Sequence, residues 1–259
     1  MTGATLLAID TSTECLALAV ITPGGIFGVN SIGGAQASAQ LLPQAAALLR
    51  QAGVDWGDLD AVAFGQGPGA FTGLRTSCAV AQGLAFGLGR PVLAIDSLLI
   101  VAEDAWAQTT MNRHAPLDSL DVLVAMDARM DEAYAARYAR DAAGWRTLSP
   151  AALFTLAGLG LWSAAAVHQG TAPACLAGTA AAAFGSRWSA PQGWQQRPKE
   201  FDRAAALARL AVVAWQSGTA LQAAEALPLY LRDRVALTTD ERDAARQRLV
   251  ANNTEPRPS

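Results

Sequence analysis

The sequence predicts an α/β fold made of two similar halves, each opening on three short strands and continuing with helices and further strands, so that two mixed sheets carry helices on their faces. Three observations carry this expectation. Short apolar runs bounded by turn residues come in threes, at residues 5–31 and again at 122–148. Each triplet is followed by segments of helical period. Of the 259 residues 52% are hydrophobic and only 16% charged, the opposite of a disordered composition and enough apolar material for a large core.

In chain order, residues 5–10, 16–21 and 25–31 read as three strands joined by tight turns, the second turn marked by Pro23-Gly24. Residues 38–52 read as a helix with apolar positions Leu41, Leu42, Ala45, Leu48, Leu49 and Ala52, closed by Gly53. A buried strand at 61–64 leads through a glycine-rich loop into a helix at 73–88; a strand at 92–95 and a helix from Ser97 to about Gln108 follow. The second half repeats the order loosely, with strands at 122–126, 132–138 and 145–148, a helix at 151–159, a strand at 174–177, a helix at 201–218 and a strand near 227–231. Residues 109–120 read as a linker. The expected organisation is thus an N-terminal unit 1–108, a second unit 109–232, and residues 233–259 as a short charged helix with a frayed tail. Two such halves facing each other make up an actin-like ATPase fold.

Charge and cysteines narrow the function. There are 22 acids against 19 bases, a net charge of −3, and Lys199 is the only lysine, which argues against a freestanding nucleic-acid binder. The first 146 residues hold fourteen acids and eight bases. The basic cluster Arg232, Arg234, Arg242, Arg246 and Arg248 is interleaved with acids and reads as a solvated face. Cys15, Cys78 and Cys175 are odd in number and far apart, so neither a disulfide framework nor a zinc site is indicated. The N-terminus lacks a basic region and meets Asp10 early, unlike a signal peptide, and the expected location is the cytoplasm. Residues 147–186 carry no formal charge, but the stretch is rich in Ala and Gly, contains Thr155, Ser163 and His168, and reads as a buried helix with a following loop and strand rather than a membrane span.

The most specific local pattern is Gly65-Gln-Gly-Pro-Gly-Ala-Phe-Thr-Gly-Leu-Arg75 between a strand and a helix. Two readings stand: an anion-binding loop at a helix N-terminus, or a tight turn that lets the helix start close against the sheet. It is neither a Walker loop nor a dinucleotide fingerprint. In the helix beyond it, Ala79, Gly83 and Gly87 recur every four residues, with Thr76 ahead of them, leaving a groove where another helix backbone fits. Gly83 costs about 1 kcal/mol relative to Ala in a helix, so packing against the chain's own sheet or against a partner helix should offset it. Asp10-Thr-Ser-Thr13 follows the first strand where actin-like ATPases carry an Asp-x-Gly-Thr phosphate loop, but Ser12 replaces the glycine. Asp10, Thr11, Gly67 and Gly69 are the candidate nucleotide contacts, and Gly178-Thr-Ala-Ala is a poor partner loop from the second half. His114 and His168 lack metal-ligand spacing. Asp127 and Arg129 read as a turn with an ion pair.

Taken together, Leu7-Ala-Ile-Asp-Thr-Ser-Thr13, Leu41-Leu-Pro43, the glycine loop from Gly67 to Arg75, Ala81-Gln-Gly-Leu-Ala85, Asp127-Ala-Arg-Met130 and Pro228-Leu-Tyr-Leu-Arg232 closely resemble the bacterial TsaB family, also called YeaZ. The resemblance implies an actin-like fold and a non-catalytic subunit, partner of the paralogous catalytic subunit TsaD and the ATPase TsaE. Their complex transfers a threonylcarbamoyl group to the adenosine beside the anticodon in tRNAs reading codons that begin with A. It implies association through N-terminal helices, as a homodimer or with the catalytic subunit. On this sequence that interface is Leu41, Leu42, Ala45, Leu48, Leu49, Thr76, Ala79, Val80, Gly83, Leu84 and Gly87. Gly67, Pro68, Gly69, Phe71, Thr72, Gly73 and Arg75 form a structural loop. The resemblance also implies no catalytic or metal-binding residue, no cofactor in the isolated chain, room for ATP or another nucleotide at the complex interface, tRNA contacted through the complex, and no membrane. Ala37 and Ala70 stand where the family often has His and Ser. The alternatives kept open are a nucleotide-using ATPase or phosphotransferase with Asp10 placing a metal-bound water, and a metal-dependent peptidase homologue.

Overall fold

The structure is a computed structural model and describes residues 3–111, 117–167 and 174–232. Both histidines and the charged helix and tail expected beyond 232 lie outside the described residues.

The first half starts with an antiparallel meander, β1 (Leu6–Asp10), β2 (Cys15–Thr22) and β3 (Gly25–Ile32). Helix α1 (Ala37–Ala52) returns the chain to β4 (Ala61–Gly67), parallel to β1, and α2 (Phe71–Leu88) returns it to β5 (Val92–Asp96), parallel to β4. The sheet order is β3-β2-β1-β4-β5. Gly53 closes α1 in the left-handed conformation, φ 71°, with the Val54 amide donating to Leu49 O at 3.1 Å; Gly89 closes α2 in the same way.

Helix α3 (Ser97–Met111) leads to the second half, β6 (Leu120–Asp127), β7 (Glu132–Asp141), β8 (Gly144–Thr155), α4 (Leu156–Val167), β9 (Ala174–Ala177), α5 (Ala180–Phe184) and β10 (Gln195–Arg197), in the order β10-β9-β6-β7-β8. From β6 outward this is the arrangement of the first sheet: two antiparallel neighbours on one side, two parallel ones on the other. The duplicated sheet order, with helices on the faces, is the actin-like ATPase fold. No helix among the described residues is long and apolar enough to cross a membrane.

The packing makes five layers. Helices α1 and α2 cover one face of the first sheet, with Leu41, Leu48, Leu49, Cys78 and Ala81 against Leu7, Leu18 and Phe64. Residues Ile100 of α3 and Ala206, Leu207 and Leu210 of α6 (Arg203–Gln216) cover the other. The opposite side of α3, through Leu98, Val101 and Ala105, meets Val122, Val124 and Tyr138 of the second sheet, whose far face holds α4 and α5. Burying each large aliphatic or aromatic side chain contributes about 1.5–3 kcal/mol relative to leaving it exposed. Thus α6, within the stretch 109–232 read as one unit, lies on the first sheet.

Three expectations need correction. The helix expected at 151–159 is strand as far as Thr155, and helix only from Leu156. Pro150 does not end β8, because β8 is an edge strand and Pro150 sits in a bulge: Ala135 pairs with Ala152 but Arg137 with Ser149. Residues 227–231 are not a strand. They lie outside any helix or strand, with the Leu229 amide donating to Gln66 O at 2.8 Å, and Pro228 has no amide to extend a ladder. Finally, the linker expected from 109 begins inside a helix, since α3 continues to Met111.

The seam between the halves is polar and buried. Glu103 of α3, 1% exposed, pairs with Arg209 of α6 and Arg140 of β7 and accepts from Trp145 Nε1 at 2.7 Å. Tyr138 Oη donates to Asp96 Oδ2 at 2.5 Å. Burial raises the Asp96 carboxyl above its ordinary value, partly offset by the Tyr138 hydroxyl and by the Leu98 and Leu99 amides. A carboxyl raised in the folded state stabilises most below its unfolded value, and that contribution is lost as pH rises through the folded one. Tyr138→Phe removes a donor from this buried carboxylate, and urea unfolding at pH 7 should show a loss of about 1.5–3 kcal/mol, shrinking toward pH 4 as Asp96 protonates.

Candidate functional site

The two hairpin loops that follow β1 and β6 face each other across a cleft, together with the glycine loop, the start of α3 and the segment 229–232. They enclose a cavity of about 560 Å³ lined by residues of both halves, among them Ser12, Glu14, Phe71, Leu98, Met126, Arg129, Thr179 and Tyr230.

Asp10, fully buried, ends β1 on the first-half wall. Its Oδ1 accepts from the Ser12 amide at 3.0 Å, Ser12 Oγ at 2.9 Å and Arg203 Nε at 3.0 Å; its Oδ2 accepts from Ser97 Oγ at 3.2 Å. Arg203, 2% exposed, also donates to Ser12 Oγ at 2.9 Å and to Glu200 at 2.5 Å. Burial works against this guanidinium, but Asp10 and Glu200 outweigh it and raise its pKa. Four of the chain's own donors thus converge on the carboxylate, three on Oδ1 and one on Oδ2.

The glycine loop is pressed onto the same place. A Cβ on Gly73 would lie 1.7 Å from Thr11 O, one on Gly69 2.4 Å from Ser12 O, and one on Gly65 1.6 Å from Asp10 Oδ2. Thr11 Oγ1 donates to Gly73 O at 2.6 Å and the Ala70 amide to Ser12 O at 2.7 Å. Of the two readings of the loop, the geometry is that of close backbone packing. Of the candidate contacts, Asp10 is bonded to Ser12, Ser97 and Arg203, Thr11 Oγ1 to Gly73 O, and the Gly67 amide to Ser97 Oγ at 3.0 Å, while Gly69 is packed on Ser12. At Asp10 itself, Arg203 and the Ser12 hydroxyl are bonded to Oδ1 and to each other.

Gly67 (φ 119°) has a different reason to lack a side chain: a Cβ there would meet Leu229 O at 2.7 Å. The segment 227–232 crosses the cleft mouth. Gln66 Nε2 donates to Leu227 O at 3.2 Å, the Tyr230 ring packs 5.2 Å from that of Phe71, Arg75 Nε donates to Tyr230 Oη at 3.0 Å with its guanidinium 3.8 Å over Phe71, and Arg232 Nη2 donates to Ala128 O at 3.0 Å and pairs with Glu132. Arg232 is thus a bound residue rather than part of a solvated face. The second-half turn it grips has three successive non-glycine residues with positive φ, Arg129 (65°), Met130 (57°) and Asp131 (57°), each costing roughly 1–2 kcal/mol. Asp127 Oδ1 steadies the turn by accepting from the Arg129 amide at 2.8 Å, and Arg129 pairs with Asp127 and, across the cleft, with Glu14 at 3.0 Å.

The residues read as a partner interface divide sharply. Leu41, Ala45, Leu48 and Leu49 are buried in the first core and present nothing outward; of the α1 positions only Leu42 is exposed. They are corrected to core residues, for they lie on the stripe of α1 that faces its own sheet. On α2, Ala79, Gly83 and Gly87 are exposed while Thr76, Val80 and Leu84 are half-buried beside them. A Cβ on Gly83 or Gly87 would have no neighbour within 4 Å among the described residues. Phe86 stands next to them 79% exposed.

Sequence reasoning missed Arg203, Glu200 and Ser97 as parts of the Asp10 cluster. One signal was available: Arg203 is the first residue of α6 after its N-cap Asp202, where the helix dipole disfavours a cation.

A family model described as "TsaD: tRNA N6-adenosine threonylcarbamoyltransferase" matches residues 23–185. The chain is 38% identical over 141 residues to the tRNA threonylcarbamoyladenosine biosynthesis protein TsaB of Haemophilus influenzae, and 36% identical over 139 residues to that of Escherichia coli, covering 54% of this chain in each case and 56% and 57% of theirs. It therefore spans little more than half the length of these curated relatives. The solved structure of YeaZ from Pseudomonas aeruginosa superposes with a TM-score of 0.75 at 36% identity, over 88% of this chain and 100% of that one. At 36% identity over the full length of a YeaZ structure, the chain belongs to the TsaB (YeaZ) family.

Proposed function

We propose that this chain is a non-catalytic scaffold subunit in the formation of threonylcarbamoyladenosine on tRNA, and that it docks through the exposed face of α2 onto a homologous TsaD-type catalytic subunit. The observation that carries the reading is the pair Gly83 and Gly87. Each sits inside a helix with open space where a side chain would go, at a cost of about 1 kcal/mol relative to Ala, and among the described residues no packing offsets that cost. A partner helix backbone seated on Ala79, Gly83 and Gly87 does, with Phe86 as an apolar anchor beside it. The engagement of Asp10 by Arg203, Ser12 and Ser97 supports a role without phosphate chemistry of its own. A TsaE-type ATPase joins the assembly, tRNA is met through the complex in the cytoplasm, and any nucleotide of the assembly lies at a subunit interface rather than at Asp10.

The test is co-purification of the catalytic subunit with Gly83→Glu. Glu is a better helix former than Gly, so circular dichroism and thermal unfolding should show a folded chain, while the buried charge at the contact should weaken association at least 100-fold. Undiminished association would refute the docking face.

A further inference from the structure

We propose that residues 227–232 are a latch that holds the cleft closed, and that its seating is coupled to docking on α2. The latch is fastened at both walls: Leu229 to Gln66 on the first half, Arg232 to Ala128 and Glu132 on the second. Its midpoint, Tyr230, stacks on Phe71 and binds Arg75. Phe71 and Arg75 lie four residues apart, and continuing that spacing gives Ala79, Gly83 and Gly87. The latch therefore grips the first turns of the stripe on which the partner is proposed to sit, and this coupling rests on that reading. On the other wall, Arg232 holds the carbonyl of Ala128 beside the turn whose three residues have positive φ, a conformation that persists where its surroundings hold it. Released from Arg232, that turn relaxes, Tyr230 loses its fixed position, and Arg75 loses the hydroxyl that orients it.

If docking requires the latched state, apparent affinity falls in proportion to the latched fraction. The test uses the full chain with its catalytic subunit and the variant Arg232→Ala, which alters neither α2 nor the first half. Hydrogen exchange of the Leu229 amide should quicken at least tenfold, and affinity for the catalytic subunit should fall about fivefold. Tyr230→Ala should lower affinity further, and Tyr230→Phe, which keeps the ring on Phe71 but loses the hydroxyl that orients Arg75, should lower it less than Tyr230→Ala. Unchanged exchange in Arg232→Ala would mean there is no latch, and faster exchange with unchanged affinity would mean it is not coupled to docking; either overturns the proposal. If Gly83→Glu also leaves affinity intact, the docking face itself is wrong; if Gly83→Glu abolishes association while Arg232→Ala does not weaken it, only the coupling fails.

Discussion

Arg203→Met should lower the free energy of unfolding by about 3–5 kcal/mol, read from urea or guanidinium transitions. The side chain lost is 1% exposed, the Asp10 side chain it leaves is fully buried, and three of its donors end on Asp10, Glu200 and Ser12. Breaking one partner of such a pair strands a charge in a medium that solvates it poorly, and this costs more than the pair itself ever contributed. The accompanying double variant Asp10→Asn/Arg203→Met should recover part of the loss, because no bare carboxylate remains at Asp10. If the single variant costs under 1 kcal/mol, Asp10 is not held by Arg203 in the way described.

Two glycines of α2, ten residues apart, should respond to alanine in opposite directions. At Gly73 the added methyl meets Thr11 O at 1.7 Å, a backbone atom on a loop fixed by the Asp10 cluster. The helix start must lift away, with loss of the 2.6 Å bond from Thr11 Oγ1, and the expected cost is about 2–4 kcal/mol from overpacking and the broken bond. At Gly83 the methyl enters open space, and better helix propensity should raise stability by about 0.5–1 kcal/mol. The same denaturation series reads both. A Gly83→Ala variant that is destabilised would mean that something in the chain already covers that face.

Much of the first half was legible because each element carries its own period. The alternating and continuous apolar runs that became β1, β2 and β4, and the helices ended by Gly53 and Gly89, depend on residues close in sequence. What was misread depends on distant ones. The run after Pro150 looks like a helix in isolation, but Phe154 pairs opposite Ala133 and stacks 4.9 Å from Trp162, and cross-strand pairing overrides the local preference. The pattern on α1 was read correctly as amphipathic, yet an apolar stripe does not say whether its partner is the chain's own sheet or another chain; here it is the sheet. The unfavourable place of Arg203 at a helix start is readable in sequence, but its partner Asp10, 193 residues away, is not. The motif Pro228-Leu-Tyr-Leu-Arg232 was visible as a pattern, but its meaning lies in Gln66, Phe71, Arg75 and Glu132, none of which is near it in sequence.

Helix α3 is enclosed by both sheets, with its apolar sides built into two cores and Glu103 neutralised by arginines from β7 and α6. Neither half can therefore be completed without the other: a fragment ending with α3 would carry an uncovered apolar face and an unpaired acid, and a fragment starting after it would lack the wall of its own core. The duplicated sheets look like two modules, but their stabilities are pooled, so local damage on either side is felt as a loss of cooperativity by the whole chain.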